Sequence, residues 1–456
     1  MRSMLRTLVA LLTAFALTAQ PVLAQSILRD AETEALFHDM AAPLIAAAGL
    51  DPKNVDIVLI NDPEINAFVA GGQIVYIHSG LMMAADNANE VQGVIAHELG
   101  HVAAGDVLRG EQGAKTATGI MLLSMLLGVA AMAAGGGDAG AAILAAGQQA
   151  AMGKFLAFSR TQESGADQSG RRYLTAAGIS GRGMISFFRK LQGQEFRLAI
   201  KQDNAYDRTH PLTGDRIQAL QDALQADKAW NKPTDPALEA RFQRVKAKLA
   251  AFVLEPKATL YRYPVTDTSV AAHYARAYAY HKSAYPDAAV AEADALLRVA
   301  PNDPYFQELK GQILLESGRP ADALTVLRQA VRTTNNQPLI AALFGHALIA
   351  TENQANFPEA KQVLRNAVSR DNRNPFAWYQ LGVIYAREGD DARAALASAE
   401  RFQLQGQPRP ALANAELAVR GLPQGSPDWL RAQDIAMTAR VDVDKDRKQR
   451  RREGER

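Results

Sequence analysis

The chain has 456 residues, 48% hydrophobic and 21% charged, a globular composition long enough for two or three domains. Its 50 basic and 48 acidic side chains nearly cancel, which gives no reason to expect a nucleic-acid partner. Cysteine is absent, so disulfides, thiolate metal sites and a lipid-modified N-terminal cysteine are excluded.

Residues 1–24 read as a secretory signal peptide. Arg2 and Arg6 form the basic start, Leu8 to Leu17 is an apolar run, and Val22-Leu23-Ala24 places small residues at a cleavage position. The run is shorter than the ~20 residues that a membrane span needs. Loss of Arg2 and Arg6 leaves 48 basic and 48 acidic side chains.

Residues 30–50 carry Leu36, Phe37, Met40 and Leu44 at helical spacing, with Gly49 as a stop. Residues 55–61 alternate and are β-branched, as a strand requires. In 66–82, Gly71-Gly72 is a turn and Gln73 to His78 a second strand. Its alternation places Ile74, Tyr76 and His78 on one side, Val75 and Ile77 on the other. Gly72, Gln73, Ile74, Val75 and Tyr76 are candidates for a sheet-edge strand that pairs with an extended peptide. A plain structural hairpin is the other reading.

Residues 91–106, VQGVIAHELGHVAAGD, hold the most informative pattern. His97 and His101 stand four apart on one helix face, so both imidazoles can reach a single divalent ion, commonly Zn²⁺. Glu98 is placed to act as general base on a metal-bound water. Val91, Val94, Ile95, Leu99 and Val102 give the helix an apolar side, and Ala96, Ala103 and Ala104 allow close packing.

Residues 116–153 are rich in Ala, Leu, Met and Gly, and Ile120 to Ala134 is too short to span a bilayer comfortably. Two helices around a hinge at Gly135-Gly136-Gly137 are expected. Such a hairpin can be a lid, a surface for peripheral membrane contact, or a buried packing element. A helix resumes over 154–175, where Glu163 and Asp167 share a face. Glu163 is the candidate third metal ligand and Asp167 the candidate acceptor that orients a ligating histidine; a solvated acidic face is the alternative. After a helix at 181–196, Pro211 holds His210 extended. His210 is a candidate catalytic group that stabilises the oxyanion, a candidate zinc cap, or an inert turn residue. His38, His78, His273, His281 and His346 have no partner spacing and read as structural.

Residues 231–236 form a linker, and 237–254 an amphipathic helix through Phe242, Val245, Leu249 and Phe252. From about 268 the sequence repeats. Pro304 and Pro338 are 34 apart, as are Gly311 and Gly345, and the next copy has Pro375 and Gly382. Ala323, Ala360 and Ala395 recur in the second helix of each unit. This period marks four or five tetratricopeptide helix pairs stacked into a solenoid. Residues 441–456 are highly charged and are expected to be disordered.

Four blocks in order, NAFVAGGQIVYIHSGLM, VIAHELGHVAAGD, SRTQESGAD and THPLTGDRI, resemble the HtpX and prenyl-protease group of zinc metallopeptidases. With the signal peptide and repeats, the chain resembles the periplasmic branch that serves outer-membrane β-barrel assembly. The fold implied is mainly α with a small β-sheet: a zincin (gluzincin-type) metalloprotease domain at 25–255, then an all-α tetratricopeptide-repeat solenoid at 256–440. The resemblance implies one Zn²⁺ per chain held by His97, His101 and Glu163, Glu98 as catalytic base, Asp167 as orienting residue and His210 as a histidine that caps the zinc in a latent enzyme. It also implies outer-membrane β-barrel proteins and their assembly machinery as partners, reached through the repeats, in a soluble or peripherally membrane-associated periplasmic protein. A protease that is off most of the time, serving mainly as a chaperone or scaffold through its repeats, is the alternative function.

Overall fold

The computed structural model describes residues 27–133, 137–197, 210 and 214–454. The signal peptide expected at 1–24 and the hinge residues Gly135 and Gly136 lie outside them. The Cα positions fall into two compact units, one built on Thr33–Leu249 and the other on Ala250–Arg456 with Asp30–Glu32.

The first unit has one small sheet. Strands β1 (Ile27–Leu28), β2 (Asp56–Ile60), β3 (Ala67–Ala70) and β4 (Ile74–His78) stand in the order β1-β2-β4-β3. β2 and β4 run parallel with Val58 opposite Tyr76, and β3 pairs antiparallel to β4 with Phe68 opposite Tyr76. The placement of β4 corrects one expectation. Ile74, Val75 and Tyr76 belong to a strand already paired on both sides, and Gly72 and Gln73 lie in the turn before it. The edge strands are therefore β1 and β3, and of these β3 is the one beside β4. Val75 and Ile77 are fully buried, as their alternation requires.

Helices α1 (Ala31–Ala47), α2 (Ser79–Ala84) and α3 (Ala88–Ala104) surround this sheet in sequence. α3 is buried from Ala88 through Val102. Its start is fixed by two side chains. Asn87 accepts from the Glu90 backbone N–H at 3.0 Å, and Glu90 accepts from the Asp86 N–H at 2.8 Å, a variant of the reciprocal capping arrangement. It stops at Gly105, whose φ of +67° suits glycine better than any residue with a Cβ.

The next two helices are α4 (Asp106–Ala133) and α5 (Gly137–Ala177), followed by α6 (Arg182–Arg197), α7 (Gly214–Gln225) and α8 (Pro236–Val253). α5 is continuous through the segment that the sequence divides at residue 154. It crosses α3 very closely. A Cβ on Gly100 would lie 2.8 Å from the Ala166 Cα, and one on Gly170 would lie 3.0 Å from the Ala96 carbonyl. Small residues four apart on both helices let the backbones touch there. α8 ties back to this unit: Glu239 accepts from the Ala88 N–H at 2.8 Å, and Arg241 donates to Asp39 at 2.6 Å.

The second unit is a stack of helix pairs. After α9 (Pro256–Arg262) come α10 (Val270–Lys282) with α11 (Pro286–Val299), α12 (Pro304–Glu316) with α13 (Pro320–Thr333), and α14 (Pro338–Ala350) with α15 (Phe357–Arg370). α16 (Pro375–Arg387) with α17 (Asp391–Leu404) and α18 (Pro408–Gly421) with α19 (Pro427–Gly454) complete it. The repeat signals have direct structural meaning. Asp303, Gln337 and Asn374 each cap a first helix by accepting two backbone N–H groups just beyond the proline. Gly311 and Gly345 admit Leu327 and Leu364 of the paired helix, whose side chains a Cβ would meet at 2.4 and 2.5 Å. Ala323 and Ala360 are fully buried, whereas in the third copy Ala395 is partly buried and Ala397 faces Gly382. The charged end departs from expectation: α19 runs on to Gly454 as helix. Asp442 and Lys445 pair three residues apart at 3.2 Å, and its Lys, Arg, Gln and Glu are good helix formers, which composition-based disorder overlooks.

Candidate metal centre

α3 presents His97 and His101 one turn apart, and the α3/α5 crossing brings Glu163 to meet them. His210 enters from the segment before α7. The four side chains are buried, with ligand atoms all within 4.8 Å of one another. His97 Nε2 lies 3.2 Å from His101 Nε2, 3.4 Å from His210 Nδ1 and 3.4 Å from Glu163 Oε2. Glu163 Oε1 lies 3.0 Å from His210 Nδ1 and 3.4 Å from His101 Nε2. A tetrahedral zinc with bonds of about 2.0–2.1 Å would set its ligands about 3.3 Å apart. The donor set and its spacing therefore suit one such ion.

The outer nitrogens of the two α3 histidines face carboxylates. His97 Nδ1 is 3.0 Å from Asp167 Oδ1, and His101 Nδ1 is 2.9 Å from Asp106 Oδ2. Such contacts fix which ring nitrogen points inward. Arg216 on α7 then clamps the acids, with Nε 2.8 Å from Asp167 and a terminal nitrogen 3.1 Å from Glu163. His210 Nε2 lies 3.2 Å from the Ala67 carbonyl of the edge strand β3 and 3.6 Å from Glu98 Oε1. Neither oxygen of the fully buried Glu98 has a hydrogen-bond partner among the described residues, and a buried carboxylate left so is costly unless a polar group or cation joins it.

The charges are strongly coupled. Burial alone would depress the His97 pKa, but Asp167 and Glu163 outweigh it and carry it to about 10. Burial likewise opposes, and Asp106 and Glu163 overcome, so that His101 rises to about 9. Burial works to raise Glu163, yet His210, His101 and His97 hold it far below the ordinary carboxylate range. Perturbation of this kind in a cleft of convergent ligands is a mark of functional sites.

Thus His97, Glu98, His101, Glu163, Asp167 and His210 come together, while Gly72 to Tyr76 do not form the free edge. Thr209 and Pro211, which flank His210, lie outside the described residues. Sequence reasoning passed over Asp106, Arg216 and the Ala67 carbonyl. Asp106 follows the glycine that ends α3, and that break is the signal that could have drawn attention to it. Asp62, Glu64 and His78 also come within 4.8 Å of one another. Asp62 there anchors the loop to α2, its side chain accepting from the Glu64 N–H at 2.8 Å and its carbonyl from Ser79 Oγ and the Gly80 N–H.

Two imidazoles on a buried helix, a carboxylate from a crossing helix and an adjacent buried glutamate define a metalloendopeptidase. Residues 28–224, just under half of the chain, match the family model for Peptidase family M48. The beta-barrel assembly-enhancing protease of Yersinia pestis is 25% identical over 373 residues, which cover 80% of this chain and 74% of that one. Metalloprotease LoiP of Escherichia coli strain K12 is 34% identical over 180 residues, 39% of this chain and 64% of LoiP. The chain thus spans just under two thirds of LoiP. A solved tetratricopeptide protein, YrrB, aligns with 39% of this chain and 92% of its own at 22% identity and a TM-score of 0.31.

Proposed function

We propose that this protein is a zinc-dependent endopeptidase exported to the periplasm, where it acts in the assembly and quality control of outer-membrane β-barrel proteins. The observation that carries the chemistry is the convergence of His97, His101, Glu163 and His210 within 4.8 Å of one another, five of the six pairs at 3.0–3.4 Å, beside a buried Glu98 with no hydrogen-bond partner among the described residues. The substrate class is drawn from the name of relatives, beta-barrel assembly-enhancing protease, the destination from the signal-peptide pattern of residues 1–24, and the helical repeats supply a surface able to hold a client.

Zinc at this position would polarise a scissile carbonyl and bring the pKa of a bound water to about 7. The chain's own residues do the rest. Glu98 accepts the proton of the attacking water and delivers it to the leaving amine. Asp167 and Asp106 hold the rings of His97 and His101 in register, and Arg216 bonds both Asp167 and Glu163 and keeps them in place. A substrate strand would pair with the outer backbone of β3.

His210 fills the fourth corner, the position a catalytic zinc keeps for water. It therefore acts as a plug, and the enzyme is latent until His210 leaves that corner. The closed arrangement favours the second reading, a scaffold whose protease is mostly silent. Glu98→Gln separates these readings. It should retain zinc and lose cleavage of an unfolded outer-membrane protein, and cleavage at the parent rate would refute the role of Glu98. If the same variant still supports outer-membrane assembly in cells, the scaffold reading stands; if it does not, that reading fails.

A further inference from the structure

Among the described residues of the α4/α5 hairpin at 106–160, the buried positions are all small, whereas most of the large apolar side chains of α4 are exposed. The buried positions between the two helices are Ser124 and Gly128 on α4 and Gly147 and Ala151 on α5, each pair four residues apart. The approach is so close that a Cβ on Gly147 would fall 2.0 Å from Ser124. The Ser124 hydroxyl is satisfied within its own helix, donating to the Met121 carbonyl at 2.9 Å. Meanwhile Met121, Leu122, Leu123, Met125, Leu126, Leu127 and Val129 are all 51–71% exposed, and Met152 on the facing helix is 56% exposed.

A hairpin stabilised by water would bury its leucines and methionines between the helices. Small residues at every fourth position, with large apolar side chains turned outward, are what helices adopt when the surroundings are as apolar as leucine itself. An outward face of this composition also exceeds what a monomer in water ordinarily leaves open. Charge identifies the occupant further. The root of the hairpin carries exposed Arg109 and Lys115 on α4 and exposed Lys154 and Arg160 on α5, against the one acid between Arg109 and Lys115, Glu111, a net cationic collar that matches anionic lipid headgroups. A hydrophobic client segment or a second copy of this near-neutral chain would gain nothing from that collar.

We propose that the α4/α5 hairpin inserts into one leaflet of an anionic phospholipid bilayer, with Arg109, Lys115, Lys154 and Arg160 at the headgroups. The exposed large side chains from Met121 to Val129 occupy about 14 Å of α4 along the helix axis. No described helix is long and apolar enough to cross a membrane, so the contact is monotopic.

The absence of cysteine permits a local reporter. Leu126→Cys, labelled with an environment-sensitive dye on the full chain, should show a blue shift with vesicles of equal parts phosphatidylethanolamine and phosphatidylglycerol. Brominated acyl chains should quench that emission. Pure phosphatidylcholine should give a much smaller response. In flotation, Leu122→Gln with Leu126→Gln should lower the partition coefficient by about tenfold or more, and Lys115→Gln with Lys154→Gln by about thirty-fold at low salt. Thermal melts of the unlabelled variants would confirm that these exposed substitutions leave the fold intact. The inference is overturned if the dye does not respond to anionic vesicles, whether or not the chain floats. It is equally overturned if the dye shifts with protein concentration alone, because the face would then be covered by a second copy.

Discussion

Gly100 and Ala166 touch backbone to backbone: a Cβ on Gly100 would sit 2.8 Å from the Ala166 Cα. That contact sets the distance between the helix bearing His97 and His101 and the helix bearing Glu163 and Asp167. Gly100→Val should therefore force α5 outward. Overpacking of this kind costs about 1–3 kcal/mol, and the displacement matters more than the stability. Zinc affinity should fall by at least an order of magnitude while the repeat unit keeps its own helical signal. Unchanged metal binding in a folded Gly100→Val protein would show that the crossing does not set the site.

Asp167→Asn removes the charge that faces His97 Nδ1 at 3.0 Å and receives Arg216 at 2.8 Å. Losing such a partner lowers metal affinity about 10–100-fold. Zinc titration of the variant should show that loss, with excess zinc restoring part of the cleavage activity. Asp106→Asn should behave alike through His101. Affinity equal to the parent's in both variants would remove these acids from the account.

The pKa shifts carry a sign. With His97 raised to about 10 and His101 to about 9, the buried histidine pair holds additional proton charge at pH 7 in the metal-free chain. A metal binds the neutral ring, so binding must release protons. Calorimetry in buffers of different ionisation enthalpy should find a net release of protons on zinc binding at pH 7. Apparent affinity should climb as the pH rises toward 9–10 and collapse on acidification. Release of no protons, with affinity flat between pH 6 and 9, would contradict the coupling of His97 and His101 to Asp167, Asp106 and Glu163.

In the repeat unit, Gly345 faces the Leu364 side chain, which a Cβ would meet at 2.5 Å. Gly345→Leu should destabilise that unit by about 1–3 kcal/mol, seen as a lowered melting transition. Peptidase activity on a short unstructured peptide, which does not need the repeats, should change little. An unaltered melt would mean that this pair of helices tolerates the added volume.

Much of the site was legible because its pieces are local. The spacing of His97 and His101 is a property of one helix, and the recurrence of Pro304, Pro338 and Pro375 is a property of the chain. Other features arise only when elements meet. Asp106 reaches His101 because α3 breaks at Gly105, and Arg216 reaches Asp167 and Glu163 only once α7 lies beside α5. The alternation that marks Ile74 to His78 as a strand is silent on whether β3 or β4 takes the outer position. The apolar stretch at 120–134 could be read as buried, lid-like or membrane-facing, since composition does not say whether leucines or glycines face the neighbouring helix. Ser124, Gly128, Gly147 and Ala151 settle that in the structure.

The most direct test of the central claim is X-ray absorption at the zinc edge on the resting protein. His97, His101, Glu163 and His210 around one ion predict four nitrogen or oxygen neighbours at about 2.0–2.1 Å, with the outer-shell scattering of three imidazoles falling to two in His210→Ala. No bound zinc, or a spectrum that His210→Ala leaves unchanged, would contradict it.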